Sequence, residues 1–331
     1  PADLRVRYSV TLFKPPPAFF QKISVSNSKI YLDHNATSPL LPEVSAAMAE
    51  VEHLAFANPS SPHWAGRDAR ILLEDSRDNL AHSLGIKPQE IFFTSGGSES
   101  NNTVLRQLLM TSGEKHIISS AVEHPSVLET CRILAEQQNI EFTELAVDSS
   151  GTLAPDDLVG AIRPETVLIS LISANNETGK FQSIAELTNI AQQQQIPFHT
   201  DLVQAFGKIE LDLSTSGIDY ATATAHKLGG PRGIGLLYVR ERTPFQSLIS
   251  GGKQERARRA GTENVTLAVG FAKAVEWYLN NQSKLRAQFF KFRQSVLEEI
   301  ANIKGIFINT DLENSLPHTL NFGCQGISAE S

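Results

Sequence analysis

A single lysine, Lys227, sits between a histidine and a glycine-rich turn in the stretch Thr222-Ala223-Thr224-Ala225-His226-Lys227-Leu228-Gly229-Gly230-Pro231. Upstream, His199-Thr200-Asp201-Leu202-Val203-Gln204 closes a short apolar run with an acid. A lysine held away from water can form a Schiff base with an aldehyde, and a strand-end aspartate can keep a pyridine nitrogen protonated. Together they are what a pyridoxal 5′-phosphate (PLP) enzyme needs to turn its ring into an electron sink. A lone lysine is more often a surface group in a loop; other loops must decide.

Four such loops carry suitable groups. Thr94-Ser95-Gly96-Gly97-Ser98-Glu99-Ser100-Asn101-Asn102 follows an apolar run and opens a helical one. Its glycines would let backbone approach an anion, with free N–H groups at the helix start pointing at it, or they are an ordinary helix cap. His124, in Glu123-His124-Pro125, could stack on an aromatic cofactor and move protons, or be a surface histidine. Asn175-Asn176-Glu177-Thr178-Gly179 offers an amide to a ligand, though Asn and Gly are also plain turn residues. Arg258-Arg259-Ala260-Gly261-Thr262-Glu263-Asn264 could hold a carboxylate or phosphate, or only precede a helix.

These loops need elements to position them. Short apolar runs bounded by turn residues predict strands at 30–33, 91–94, 116–119, 140–145, 167–172, 197–201, 220–222 and 235–239. Helical spacing between them predicts helices at 42–54, 67–84, 125–138, 155–162 and 184–194, three of which open on proline. The helix over 67–84 should turn Ile71, Leu72, Leu80 and Leu84 to one side. This alternation implies an α/β fold with a mainly parallel sheet between helices, and sites in the loops at the carboxyl ends of its strands. Beyond about residue 263 the pattern changes to helices at 265–281 and 284–302, then strands at 306–309 and 319–322. That change predicts a second, smaller α+β domain.

The 331-residue chain carries a formal charge of −7, and a pI near 5.8 argues against a nucleic-acid surface. No apolar run approaches the length of a membrane span. Two cysteines, Cys131 and Cys324, make no disulfide framework and suggest a reducing, cytoplasmic compartment. No metal site is expected. Residues 1–29 are basic and broken by Pro15-Pro16-Pro17. They are expected to be a flexible extension; if they are instead a targeting segment, an organelle becomes the location.

The chain resembles the cysteine desulfurases of the NifS/IscS group, within the class V aminotransferase-like, fold type I PLP enzymes. The resemblance rests on Tyr31-Leu32-Asp33-His34-Asn35-Ala36-Thr37-Ser38-Pro39, Asn58-Pro59-Ser60-Ser61-Pro62-His63 and the loops above, in the same order and with similar spacing. It implies a large PLP-binding domain over 37–264 and a small domain made of 30–36 with 265–331, its C-terminal part incomplete. By resemblance Lys227 holds PLP and acts as base on the substrate Cα, Asp201 pairs with the ring nitrogen and His124 stacks on the ring. Gln204 bonds the ring hydroxyl, and Gly97, Ser98, Thr224 and His226 hold the phosphate, with Thr262 reaching in from the partner of a homodimer. Asn176 lies beside the ring, and Asn35, Asn176 and Arg259 meet the substrate. The implied reaction takes L-cysteine to L-alanine and passes the sulfur, as an enzyme persulfide, to an acceptor. That acceptor would be an iron–sulfur scaffold or a thio-cofactor or tRNA-thiolation protein.

The sequence departs from the family in one respect. No Ser-Ser-Gly-Ser-Ala-Cys-like loop occurs in these residues, and the family's later substrate arginine is likewise absent. Cys324 falls too early, and Cys131 belongs on an apolar helix face as a core thiol. A truncated desulfurase is the simplest expectation. The alternatives are a PLP-dependent cysteine or selenocysteine lyase, which needs no protein persulfide, and a non-catalytic scaffold subunit on the same fold.

Overall fold

A computed structural model describes residues 30–110, 112–138 and 140–327. Two units, Pro1–Leu32 and Asp33–Ser331, make up the chain. Of the first, only 30–32 are described; they have no regular secondary structure, and Ile30 and Leu32 are 85% and 86% exposed. The strand expected over 30–33 is therefore not formed. At Asp33 the backbone enters a turn instead, its carbonyl accepting from the N–H groups of Ala36 and Thr37. The extension expected over 1–29 lies outside the described residues.

The second unit is built on a seven-stranded sheet of β1 (Ile91–Thr94), β2 (His116–Ser120), β3 (Glu141–Leu145), β4 (Thr166–Ser170), β5 (Phe198–Asp201), β6 (Tyr220–Thr224) and β7 (Gly235–Val239). Their order is β1-β7-β6-β5-β4-β2-β3. Only β7 runs against its neighbours, pairing antiparallel with β1 and β6. Strands β1 and β6 therefore point the same way as β5, β4, β2 and β3, and the carboxyl ends of all six share one edge. That edge is where an open α/β sheet carries its site.

Alternate side chains enter two hydrophobic clusters, one on each face, as strands covered on both sides require. Phe93, Ile118, Ile169, Ala221 and Leu236 enter one, while Phe92, Ile117, Leu168, Tyr220 and Leu237 enter the other. Burying each large side chain of this kind contributes roughly 1.5–3 kcal/mol. Helices α1 (Pro42–Leu54), α2 (Trp64–Ser83), α3 (Gly97–Leu105), α4 (Pro125–Gln138), α5 (Pro155–Ala161) and α6 (Ile184–Gln193) alternate with the strands. The second of these starts before the expected residue 67, because the His63 side chain accepts from Gly66 N–H and caps it earlier. Its buried face also differs from expectation. Ile71 is 57% exposed, whereas Ala69, Leu73, Arg77 and Leu80 are buried. Choosing between adjacent rows of one helix is a tertiary decision.

After β7 comes a short left-handed turn, α7 (Gln254–Ala257), and then α8 (Val265–Ile300). The two helices expected over 265–281 and 284–302 are one 36-residue helix. Asn281-Gln282-Ser283 contains neither Gly nor Pro. Asn281 bonds back to the Trp277 carbonyl, and Gln282 reaches out to that of Gly207, so the polar triplet continues the helix. Strands β8 (Ile306–Ile308) and β9 (Phe322–Cys324) pair antiparallel; β9 begins at the last residue of the expected 319–322. Thr319 is diverted from that ribbon by accepting a bond from Asn35.

Candidate active site

The shared strand edge gathers Asp201, Lys227, Asn35, Asn176, Gln204 and His124. Asp201 ends β5 and is buried. Its carboxylate accepts from Asn101 Nδ2 at 2.8 Å and from Val203 N–H at 2.8 Å, two neutral donors. Burial raises its pKa, opposed by those hydrogen bonds and then by the positive charges of His124 and Lys227. A buried carboxylate bonded by neutral groups alone suits a cation, and a protonated pyridine nitrogen supplies one.

Lys227 closes the short helical turn after β6. Its Nζ donates to the backbone carbonyls of Asn35 and Ala36, the latter at 2.7 Å. Burial lowers its pKa against the pull of Asp201. An amine poised on carbonyl oxygens with a depressed pKa can give up its proton and become a nucleophile. The segment that presents those carbonyls is laid across the lysine turn by two further bonds, Ser38 N–H to His226 O at 2.8 Å and Leu41 N–H to Gly229 O at 2.9 Å.

Asn35 ties the strand-end loops together. Its Nδ2 donates to the Asn176 carbonyl at 3.0 Å and to Thr319 Oγ1 at 2.9 Å, while its own carbonyl accepts from Gln204 Nε2 at 2.9 Å. Its Oδ1 is buried without a partner, an acceptor open to a ligand. Asn176 lies in the turn after β4, where Gly179 has φ +75 and a Cβ would strike the Thr319 side chain at 2.8 Å. Only glycine closes that turn against Thr319. His124, after β2, meets Ser126 Oγ through Nδ1 at 2.7 Å, and Ser126 Oγ in turn accepts from Asn101 Nδ2 at 2.9 Å. His124, Ser126, Asn101 and Asp201 thus form one hydrogen-bonded chain.

Gly97 and Ser98 begin α3, so their N–H groups face its open end. The turn before them packs against β7, where a Cβ on Gly235 would lie 2.7 Å from Gly96 Cα. The Thr224 hydroxyl, expected at a phosphate, donates to the Ile234 carbonyl at 2.9 Å. The His226 Nδ1 lies 3.2 Å from Thr37 Oγ1, and burial, then Lys227, lowers the ring pKa to about 4, leaving it neutral. Arg259, expected at the substrate, forms a two-pronged bond with Glu99. Thr262 is exposed in the loop beyond it.

Sequence reasoning passed over Asn101, Ser126, Thr319 and Lys208, whose Nζ donates to Gln204 Oε1 at 2.9 Å. Asn101 alone left a local signal, four residues along α3 from Gly97 and so on the same helix face. Cys131 is fully buried, and burial pushes its thiol up to about 12, as a core thiol requires. Cys324 lies in the two-stranded ribbon opposite Ile306. Among the described residues no group of three or more His, Cys, Asp or Glu could hold a metal. No helix there is long and apolar enough to cross a membrane.

A mainly parallel α/β sheet whose strand ends gather a lysine, a buried aspartate and a glycine-led helix start is the architecture expected of a fold type I PLP enzyme. Residues 30–331 match the aminotransferase class-V family, and the chain belongs to it. Within that family it groups with the cysteine desulfurases. It is 42% identical over 307 residues to the cysteine desulfurase IscS of Dictyoglomus turgidum, covering 92% of this chain and 77% of that one. Against IscS of Methanosarcina thermophila the identity is 39%, over 94% of this chain and 77% of the relative. A solved NifS-like protein superposes with a TM-score of 0.88 at 35% identity, covering 90% of this chain and 82% of that one. The family is PLP-dependent.

Proposed function

We propose that this chain is a PLP-dependent cysteine desulfurase that removes sulfur from L-cysteine and leaves L-alanine. The observation that carries the reading is Asp201, buried and bonded only by neutral donors on the edge that also holds Lys227. Bound PLP supplies an electron-withdrawing ring that stabilises negative charge developing at the substrate Cα. Asp201 supplies the counter-charge that keeps the ring nitrogen protonated. Lys227, its pKa lowered by burial, attaches the cofactor and takes the Cα proton. His124 and Gln204 would hold the ring, Asn176 would meet the amino-acid carboxylate, and Asn35, its Nδ2 already donating to Asn176 and Thr319, would offer its acceptor Oδ1 to a donor on the substrate. Gly97, Ser98 and His226 would hold the phosphate, joined by Thr262 of a second copy in a homodimer; Thr224, expected with them, donates its hydroxyl hydrogen bond to the Ile234 carbonyl.

A cysteine thiolate takes the substrate sulfur as a persulfide while the C–S electron pair and a proton go to carbon, giving alanine; that thiolate is not Cys131, which is sealed in the core. A sulfur-accepting protein, such as an iron–sulfur scaffold, completes the reaction. The division into a large domain over 37–264 and a small one of 30–36 with 265–331 belongs to the same proposal, as does a cytoplasmic setting.

Two measurements test it. The protein reconstituted with PLP should be yellow, and borohydride reduction with peptide mapping should label Lys227. It should also exchange the Cα hydrogen of L-cysteine with deuterated solvent, and Lys227→Ala should abolish that exchange. A colourless protein, or label on another lysine, overturns the assignment.

A further inference from the structure

The resemblance places Arg259 at the substrate, yet the fold gives it another partner. Its Nε lies 3.0 Å from Glu99 Oε1 and its Nη2 3.2 Å from Oε2. The pair is largely buried, with side-chain exposures of 24% for Arg259 and 11% for Glu99. Glu99 is the third residue of α3, directly after Gly97 and Ser98. Its Oε2 also accepts from Ser95 N–H at 2.7 Å, so the carboxylate folds back over the turn whose free N–H groups await an anion. Two negative groups at one helix start repel, and a half-buried site screens them poorly.

A second observation shows how the arginine's loop is anchored. The backbone of Glu255, Arg256 and Ala257 is left-handed, with φ of 48, 56 and 62. Three consecutive non-glycine residues in that region persist only where surrounding contacts force them. The force comes from the Glu255 carboxylate, which binds Arg77 at 2.7 and 3.0 Å and accepts from Phe93 N–H at 3.1 Å. Phe93 lies on β1, the strand that feeds the Thr94–Ser95–Gly96 turn. The arginine loop and the anion-binding turn are therefore registered on the same strand.

We propose that Arg259 is a positioning residue for the cofactor phosphate, neutralising Glu99 so that a phosphate dianion can share the start of α3. The inference rests on the PLP reading and deepens it. It assigns to the phosphate an arginine that the resemblance gives to the substrate.

Dissociation constants for PLP and for pyridoxal, which lacks the phosphate, test it in four proteins: the unmodified chain, Arg259→Met, Glu99→Gln and the double variant. Arg259→Met should weaken PLP binding about tenfold or more. Glu99→Gln should bind PLP at least as well as the unmodified chain, and the double variant should regain most of the loss. Pyridoxal binding should respond to none of them. Rescue by the second substitution separates charge compensation from damage to folding. If the double variant binds PLP as weakly as Arg259→Met, the inference is overturned. It is equally overturned if Arg259→Met binds PLP normally but raises KM for L-cysteine. A chain that binds neither compound in its unmodified form overturns the PLP reading, and this inference with it.

Discussion

At Asp201 the fold holds a carboxylate that burial would rather see protonated. A pyridinium reverses that preference, and each pKa unit it gains is worth about 1.4 kcal/mol. Asp201→Asn should therefore slow Cα-hydrogen exchange far more than it weakens PLP binding, because the phosphate contacts remain. Equal losses in exchange rate and affinity would make Asp201 merely structural. Glu123 supplies a second test at this scale. Its Oε1 accepts from Ser120 Oγ at 2.6 Å and from Ile172 N–H at 2.7 Å, while Oε2 has no partner. Burial pushes its pKa from 4.5 to about 8, against those two bonds and with help from Asp201. The folded chain then keeps a proton that the unfolded chain has lost, so the folded pKa is the higher one. Its stabilisation is complete below about pH 4.5 and is lost as pH rises through about 8. Relative to Glu123→Gln, the urea midpoint of the parent should fall as pH rises across that window, the other titrating groups being common to both; a constant difference between the two would place the titration elsewhere.

Among the elements, α8 divides into two regimes. Its buried residues lie from Val265 to Val275, apart from Arg293 further on. Phe271 is fully buried, whereas Phe292 is 56% exposed. Phe271→Ala should cost about 3–5 kcal/mol and Phe292→Ala less than about 1 kcal/mol in chemical denaturation. Similar costs at the two positions would contradict this packing. The left-handed turn α7 depends on Arg77, 2% exposed, which also donates to the Ile91 carbonyl at 3.1 Å. Arg77→Met leaves the Glu255 carboxylate buried without its cation, and should destabilise by about 3–5 kcal/mol in the same assay. A loss below about 1 kcal/mol would show that the turn is held by other contacts.

At the scale of the whole molecule, alternating patterns were enough to read the α/β class, the strand-end lysine and aspartate and the glycine-led start of α3. Proline at a helix start, apolar runs of strand length and Gly/Ser turns act through neighbouring residues, so they survive in a linear reading. Where neighbours do not decide, the reading failed. Residues 30–33 have strand composition but form no strand, and Asn281-Gln282-Ser283 reads as a break but continues a helix. Nor could the partners be read. Arg77 and Glu255 are 178 positions apart, Arg259 and Glu99 160, and Lys227 and Asn35 192. Charge and residue type left Arg259 open to a carboxylate or a phosphate, and the family resemblance placed it at the substrate; the packing of its loop beside β1 brings it to Glu99. The sequence by itself determined most of the strands and helices and which residues could do chemistry. The tertiary structure decided which of them meet, because the strand order β1-β7-β6-β5-β4-β2-β3 closes contacts across nearly two hundred residues, and no local preference specifies that order.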